Sequence, residues 1–140
     1  MKLIAHRGNF NGPSLESENN PTQIEIALSK GLDCEIDVRY INGSFFLGHD
    51  EPSYKVEESF LEDKRLWCHA KNLKALEKML ANESIHCFWH DQDDYTITSN
   101  KFIWTFPNKL ITKKSVVVDL NPSPNLSLGC YGVCADYLKT

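Results

Sequence analysis

Glu35, Asp37 and Arg39 stand two residues apart in the run CEIDVR, and His49-Asp50 closes the next apolar stretch. Residues two apart on a strand share one face and lie roughly 6.5–7 Å from each other. If that face points inward, two carboxylates repel and need a cation, either Arg39 or a metal ion. Oxygen donors of this kind suit Mg²⁺ or Ca²⁺. If it points outward, Glu35 and Asp37 are solvated charges on an edge strand. His6 and His49 are the candidate acid and base, because imidazole titrates near neutral pH and can hold or release a proton there. Each could equally be a strand-end histidine bonded to backbone. Arg7, beside His6, offers the planar fork of donors that matches phosphate.

The elements that must position these groups are readable in outline. Lys2–His6 is a short apolar run ending at Gly8, which reads as a strand. Asn20 caps a helix over 21–30, Pro21 suits its first position, Gln23 completes a capping box, and Gly31 stops it. Cys34, Ile36 and Val38 alternate with the charged residues, which is strand periodicity. Asn42-Gly43 signals a tight turn into the extended run Phe45–Leu47. Leu66–Lys71, Ile85–His90, Lys101–Phe106, Ser115–Leu120 and Tyr131–Tyr137 read as further strands. Asn72 caps a second helix with Leu73, Leu76, Met79 and Leu80 on one face. Residues 51–63 carry at most a turn of helix, the stretch after His90 is a polar connection, and NPSPN at 121–125 is a loop. Helices among strands point to an α/β fold with a mainly parallel sheet, whose ligands sit at the carboxyl ends of the strands. His6-Arg7, His49, His69 with Lys71, and His90 all fall at such ends.

The 140 residues predict one domain, 1–140, large enough to bury a core. A net charge of −4 argues against nucleic acid or an anionic membrane as partner. No run approaches the ~20 apolar residues of a membrane span, and the apolar stretch at the N-terminus is too short for a signal peptide. The expectation is a soluble, cytoplasmic protein. The five cysteines are then free thiols. A zinc site built from Cys68-His69, Cys87 with His90, and Cys130 with Cys134 is the thiol-based alternative, although alternation puts Cys68 and His69 on opposite strand faces.

Taken in order, His6-Arg7-Gly8, Glu18-Asn19, a helix ending at Lys30-Gly31, Glu35-Ile36-Asp37-Val38-Arg39 and Gly48-His49-Asp50 resemble the glycerophosphodiester phosphodiesterase family. The match spans about the first third of the chain, and its specificity lies in the order of all five elements. The resemblance implies metal-dependent cleavage of a small phosphodiester, the chemistry of lipid metabolism. His6 and His49 would be the catalytic acid/base pair, Arg7 and Lys71 the phosphate-binding cations, and Glu35 and Asp37 metal ligands. Glu18 and Asn19 would support the site, with Asn20 where the family has threonine. The nucleophile, water or a substrate hydroxyl, stays open.

Two departures qualify it. LWCHAK occupies the place of the family's Glu-x-Lys strand, with Lys71 matching the lysine and His69 standing where the glutamate would be. Either His69 is then a third ligand in a retuned site, which admits Mn²⁺ or Zn²⁺ beside Mg²⁺ or Ca²⁺, or the third ligand is lost. The chain is also far shorter than the about 250 residues of a TIM barrel. The expected fold is therefore α/β, a reduced TIM-type (β/α) barrel with several outer helices missing in the second half. Uncovered aromatics such as Phe88, Phe102 and Trp104 would favour a homodimer or another partner, or would cap the barrel themselves. The competing functional reading is a catalytically altered relative that binds a phosphorylated small molecule.

Overall fold

In a computed structural model, which describes residues 1–121 and 129–139, ten strands join in one sheet. They are β1 (Lys2–His6), β2 (Asp33–Ile41), β3 (Ser44–Leu47), β4 (Tyr54–Val56), β5 (Leu66–Ala70), β6 (Cys87–Phe88), β7 (Tyr95–Ile97), β8 (Ile103–Thr105), β9 (Ser115–Val118) and β10 (Gly132–Ala135). Two α-helices accompany them, α1 (Pro21–Ser29) and α2 (Leu73–Leu80), with a short 3₁₀ turn over Glu58–Glu62. Parallel pairing runs β6-β5-β2-β1-β10-β9-β8. Antiparallel β3 and β4 extend the carboxyl end of β2, and antiparallel β7 borders β8.

This corrects the expected reduced TIM-type barrel. The chain forms a curled mixed sheet, a half-barrel, and not a barrel of strands alternating with helices. The reason is the length of the connections. Among the described residues α-helices follow β1 and β5 only, while residues 106–114 carry the chain from β8 to its parallel neighbour β9 without regular structure, and β7 and β8 form a hairpin. A helical crossover needs a dozen or more residues.

The curl separates two apolar clusters. Cys34, Ile36 and Val38 of β2 join Ala5, Leu66, Cys68 and the helix residues Ile24, Ala27, Ala75 and Met79 on the outer face. Ile4, Trp67, Phe88, Trp104, Val116 and Cys134 fill the inside. Trp104 of β8 packs on Phe88 of β6 at 4.5 Å between ring centroids, and lies 5.9 Å from Trp67 of β5. Phe88 and Trp104 thus turn inward and are buried, while Phe102 is only partly buried.

Local details refine the sequence reading. Asn20 caps α1 through Thr22 N, but Gln23 reaches Gly8 O (3.1 Å) and does not close a capping box. Asn72 caps α2 through Ala75 N and also bonds both backbone groups of Tyr40, tying the helix to the end of β2. The buried face of α2 is Ala75 and Met79, with Leu73 and Leu80 exposed. The loop expected at 121–125 lies almost wholly outside the described residues.

One buried histidine belongs to the packing. His86 sits against Trp67 at 4.3 Å and bonds Thr98 Oγ1 at 2.7 Å. Burial lowers its pKa from 6.5 to about 4. The unfolded chain takes up this proton below pH 6.5 while the folded chain resists until about pH 4. Stability is therefore complete above pH 6.5 and falls through this window as the pH drops, by about 3 kcal/mol. Thermal melts from pH 7 to pH 4 should show this loss, and His86→Phe should flatten it; an unchanged slope in the variant would assign the loss to other groups.

Candidate functional site

The alternation of β2 places Glu35 and Asp37 inside the curl, where both are almost completely buried. The parallel register sets them beside Trp67 and His69 of β5. Each carboxylate spends one oxygen on protein donors. Glu35 Oε1 accepts from the Arg7 backbone N–H at 3.1 Å. Asp37 Oδ2 accepts from Asn19 Nδ2 at 2.9 Å, with Arg7 Nε at 3.3 Å. The second oxygen of each turns to the same atom: Glu35 Oε2 lies 3.4 Å and Asp37 Oδ1 3.7 Å from His69 Nδ1.

The His69 ring is fixed from its other side. Nε2 lies 2.9 Å from the carbonyl oxygen of His90, and the ring stacks on Phe88 at 4.8 Å and 21°. A carbonyl only accepts, so Nε2 carries the proton, and in the neutral ring Nδ1 presents a lone pair to the two carboxylates. The 3.4 and 3.7 Å separations are longer than N–H···O hydrogen bonds of about 2.7–3.2 Å. Ligand atoms held about 2.1 Å from one ion stand roughly 3.0–3.4 Å apart in octahedral or tetrahedral arrangement. Among the described residues these three side chains form the group able to hold a metal, with one ligand atom from each lying within 4.8 Å of the others. The donor set fits a divalent ion.

The charges bear on each other. Burial alone would raise Glu35, but His69 in its protonated form, His6 and Arg7 outweigh it and hold the carboxyl below the usual carboxylate range. Asp37 is pushed up by burial and by the neighbouring Glu35 charge. A divalent ion held between the two carboxylates would relieve this conflict.

The flanking loops buttress the pair. Arg7 and Asn19 adopt positive φ, 55° and 60°, and the Asn19 N–H donates to Arg7 O. Asn19 clamps Asp37 twice, through Nδ2 to the carboxylate and by accepting from the Asp37 N–H. Glu18 takes Arg7 Nη1 at 3.0 Å. Burial weakens the charge on Arg7, but Asp37, Glu18 and Glu35 more than restore it and raise its pKa. Its Nε has no hydrogen bond of good geometry despite the nearby Asp37, which leaves a buried donor for a ligand.

The histidines flank this centre. His6 closes β1, and its Nδ1 lies 2.8 Å from Oδ1 of buried Asp136 just beyond β10. Burial opposes protonation of His6, while Asp136 and Glu35 favour it and prevail, raising the pKa above 6.5. His49 follows β3, with Nδ1 bonded to exposed Asp50 at 2.8 Å. Arg39 does not neutralise the acids of its own strand. It donates to the carbonyls of Gly48 and His49 and so fixes the loop that carries His49. Gly48 is required there, because a Cβ would lie 1.8 Å from the Glu51 carbonyl oxygen.

A cavity of about 310 Å³ at the mouth of the curl is lined by His6, Arg7, Glu35, Asp37, His49 and His69, and on its far side by apolar residues of the second half. Glu18 and Asn19 line a smaller neighbouring cavity of about 220 Å³ that shares His49. Lys71 is not brought in: it follows β5, lines neither cavity, and its ammonium has no partner among the described residues. Asp91, Asp93 and Asp94 face solvent. Cys68 and Cys87 are buried on the outer face away from His69, and the cysteines are free thiols. Asp136 and the His90 carbonyl were not among the site residues expected from sequence. The signal for Asp136 was its place at the end of the last strand, whereas a backbone acceptor has no sequence signature.

No family model, curated protein or solved structure matches the chain. Among the described residues no helix is long and apolar enough to cross a membrane.

Proposed function

We propose that the protein is a metal-dependent phosphodiesterase of the glycerophosphodiester phosphodiesterase type, acting on a small phosphodiester. The observation that carries this reading is the convergence of Glu35 Oε2, Asp37 Oδ1 and His69 Nδ1 in a cavity also lined by His6, Arg7 and His49. Glu35, Asp37 and His69 would hold the divalent ion. When bound, that ion supplies positive charge to a phosphodiester oxygen.

The chain's own groups do the rest. Arg7, with its unbonded Nε, orients the phosphate. His6 is paired to a buried carboxylate that favours its protonated form, whereas His49 has its partner Asp50 in water. His6 is therefore the general acid that protonates the leaving alkoxide, and His49 the general base that takes the proton of the attacking hydroxyl. Asp136 orients His6 from behind.

Hydrolysis of bis(4-nitrophenyl) phosphate by the full chain tests the reading. Turnover with Mn²⁺, Zn²⁺, Mg²⁺ or Ca²⁺ that EDTA abolishes is the expected result. Turnover indifferent to EDTA would remove the metal from the reading, and no turnover with any of the four ions would remove the reaction.

A further inference from the structure

The cavity has two unlike walls. One carries the acids, histidines and Arg7 of the first half of the chain. The other consists of Trp104, Phe106 and Pro107 at the end of β8, and Val118 and Leu120 at the end of β9. Trp104 is 3% exposed and pinned by Phe88, so its cavity face is rigid. Phe106 and Leu120, at 42% and 41% exposure, are large apolar groups held open at the mouth. These five side chains bring no hydroxyl, amide or charge to the cavity; the polar neighbour is His90, which also lines the cavity with its ring 6.5 Å from Phe106 and its Nε2 turned to the Asp93 carbonyl, while the Thr105 hydroxyl is turned to the Ile103 carbonyl. A polyol placed against these five would lose water without gaining partners. A hydrocarbon would bury surface there at no such cost.

Resting on the phosphodiesterase reading, we infer that the substrate is a phosphodiester with one short alkyl or aryl ester group seated on the Trp104–Phe106–Leu120 wall. The charged wall fixes the phosphate, and the apolar wall lies across the same cavity, so the occupant bridges the two. The volume of about 310 Å³ is at the small end of the roughly 300–1,000 Å³ of ligand sites, which fits one short chain or one ring.

Calorimetric binding of methyl, butyl, hexyl and glyceryl phosphate to the full chain in the presence of Mn²⁺ tests this without needing turnover. Affinity should rise about three- to fourfold per methylene along the alkyl series until the wall is covered, with glyceryl phosphate near methyl phosphate. Phe106→Ser and Leu120→Ser alter exposed side chains, and each should flatten the series while leaving methyl phosphate binding unchanged. Equal affinity for hexyl and glyceryl phosphate overturns the inference alone. A chain-length dependence that both variants retain places the hydrocarbon elsewhere and also overturns it. Failure of every ester to bind, methyl phosphate included, overturns the phosphodiesterase reading and this inference together.

Discussion

Alanine at His49 or at His6 is expected to lower kcat by about 10²–10⁴ each, the usual contribution of a positioned acid or base. The two losses should differ in kind. An activated diester with a nitrophenolate leaving group needs little protonation, so His6→Ala should be damaging mainly with an alkyl leaving group. His49→Ala should be damaging with both, because the attacking hydroxyl must lose its proton in either case. Comparing kcat for the two substrate types in both variants reads the assignment directly. Equal sensitivity of His6→Ala to both leaving groups would refute its role as the acid, and wild-type rates in either variant would remove that histidine from the chemistry. Asp136→Asn should act through His6, because the amide keeps the shape of the contact but not the charge behind the imidazole. Its deficit should follow the leaving-group pattern of His6→Ala.

The proposed metal site gives the second large effect. Two carboxylate oxygens and one imidazole nitrogen form a mixed donor set, which favours Mn²⁺ or Zn²⁺ over the hard ions Mg²⁺ and Ca²⁺. His69→Glu converts the set to three oxygens and should reverse that preference. Glu35→Gln keeps the side chain's size but removes its charge, and should cost at least about 100-fold in affinity, since even outer partners of metal ligands are worth about 10–100-fold. Titration calorimetry with each ion checks both without an assay of turnover. A wild-type preference for Ca²⁺, or a His69→Glu variant that keeps the wild-type order of ions, would exclude His69 as a ligand. The fixed tautomer is the physical basis: with Nε2 committed to the His90 carbonyl, Nδ1 is the nitrogen left to bind.

Strands β1, β2, β3 and β5 and both helices were legible because their signals are local. The alternation around Ile36 and the caps at Asn20 and Asn72 each act within a few residues. The inward turn of Glu35 and Asp37 was not decided by that alternation, since a wet outer face has the same period; burial of Cys34, Ile36 and Val38 against the helices settles it. The overall architecture was misjudged because a barrel's helices were assumed to be lost from a standard plan. The second half instead uses a hairpin and irregular connections, and β4 and β7 are three-residue strands with no pattern to read. The α2 face was misjudged for a related reason. Leu73 and Leu80 carry hydropathy, but small Ala75 is what allows the helix to lie close to the sheet. At the site, spacing carried residue types but not their partners: Arg39 looked like the neutraliser of its own strand and instead holds the His49 loop. Lys71 looked like a phosphate ligand and stands outside the cavity.

β2 is bordered by β1 and β3 along successive stretches and by β5 across its middle, so most of its backbone amides are enclosed by other strands. Its carboxylates thus ride on the most firmly tied segment of the sheet. In hydrogen–deuterium exchange the amides of Ile36 and Val38 should be among the last to exchange, opening only with global unfolding, while those of edge strand β7 exchange early. The reactive centre would then persist through local openings that disturb the β7–β8 rim of the cavity. Loosening that rim would change what enters the site before it changed what the site does.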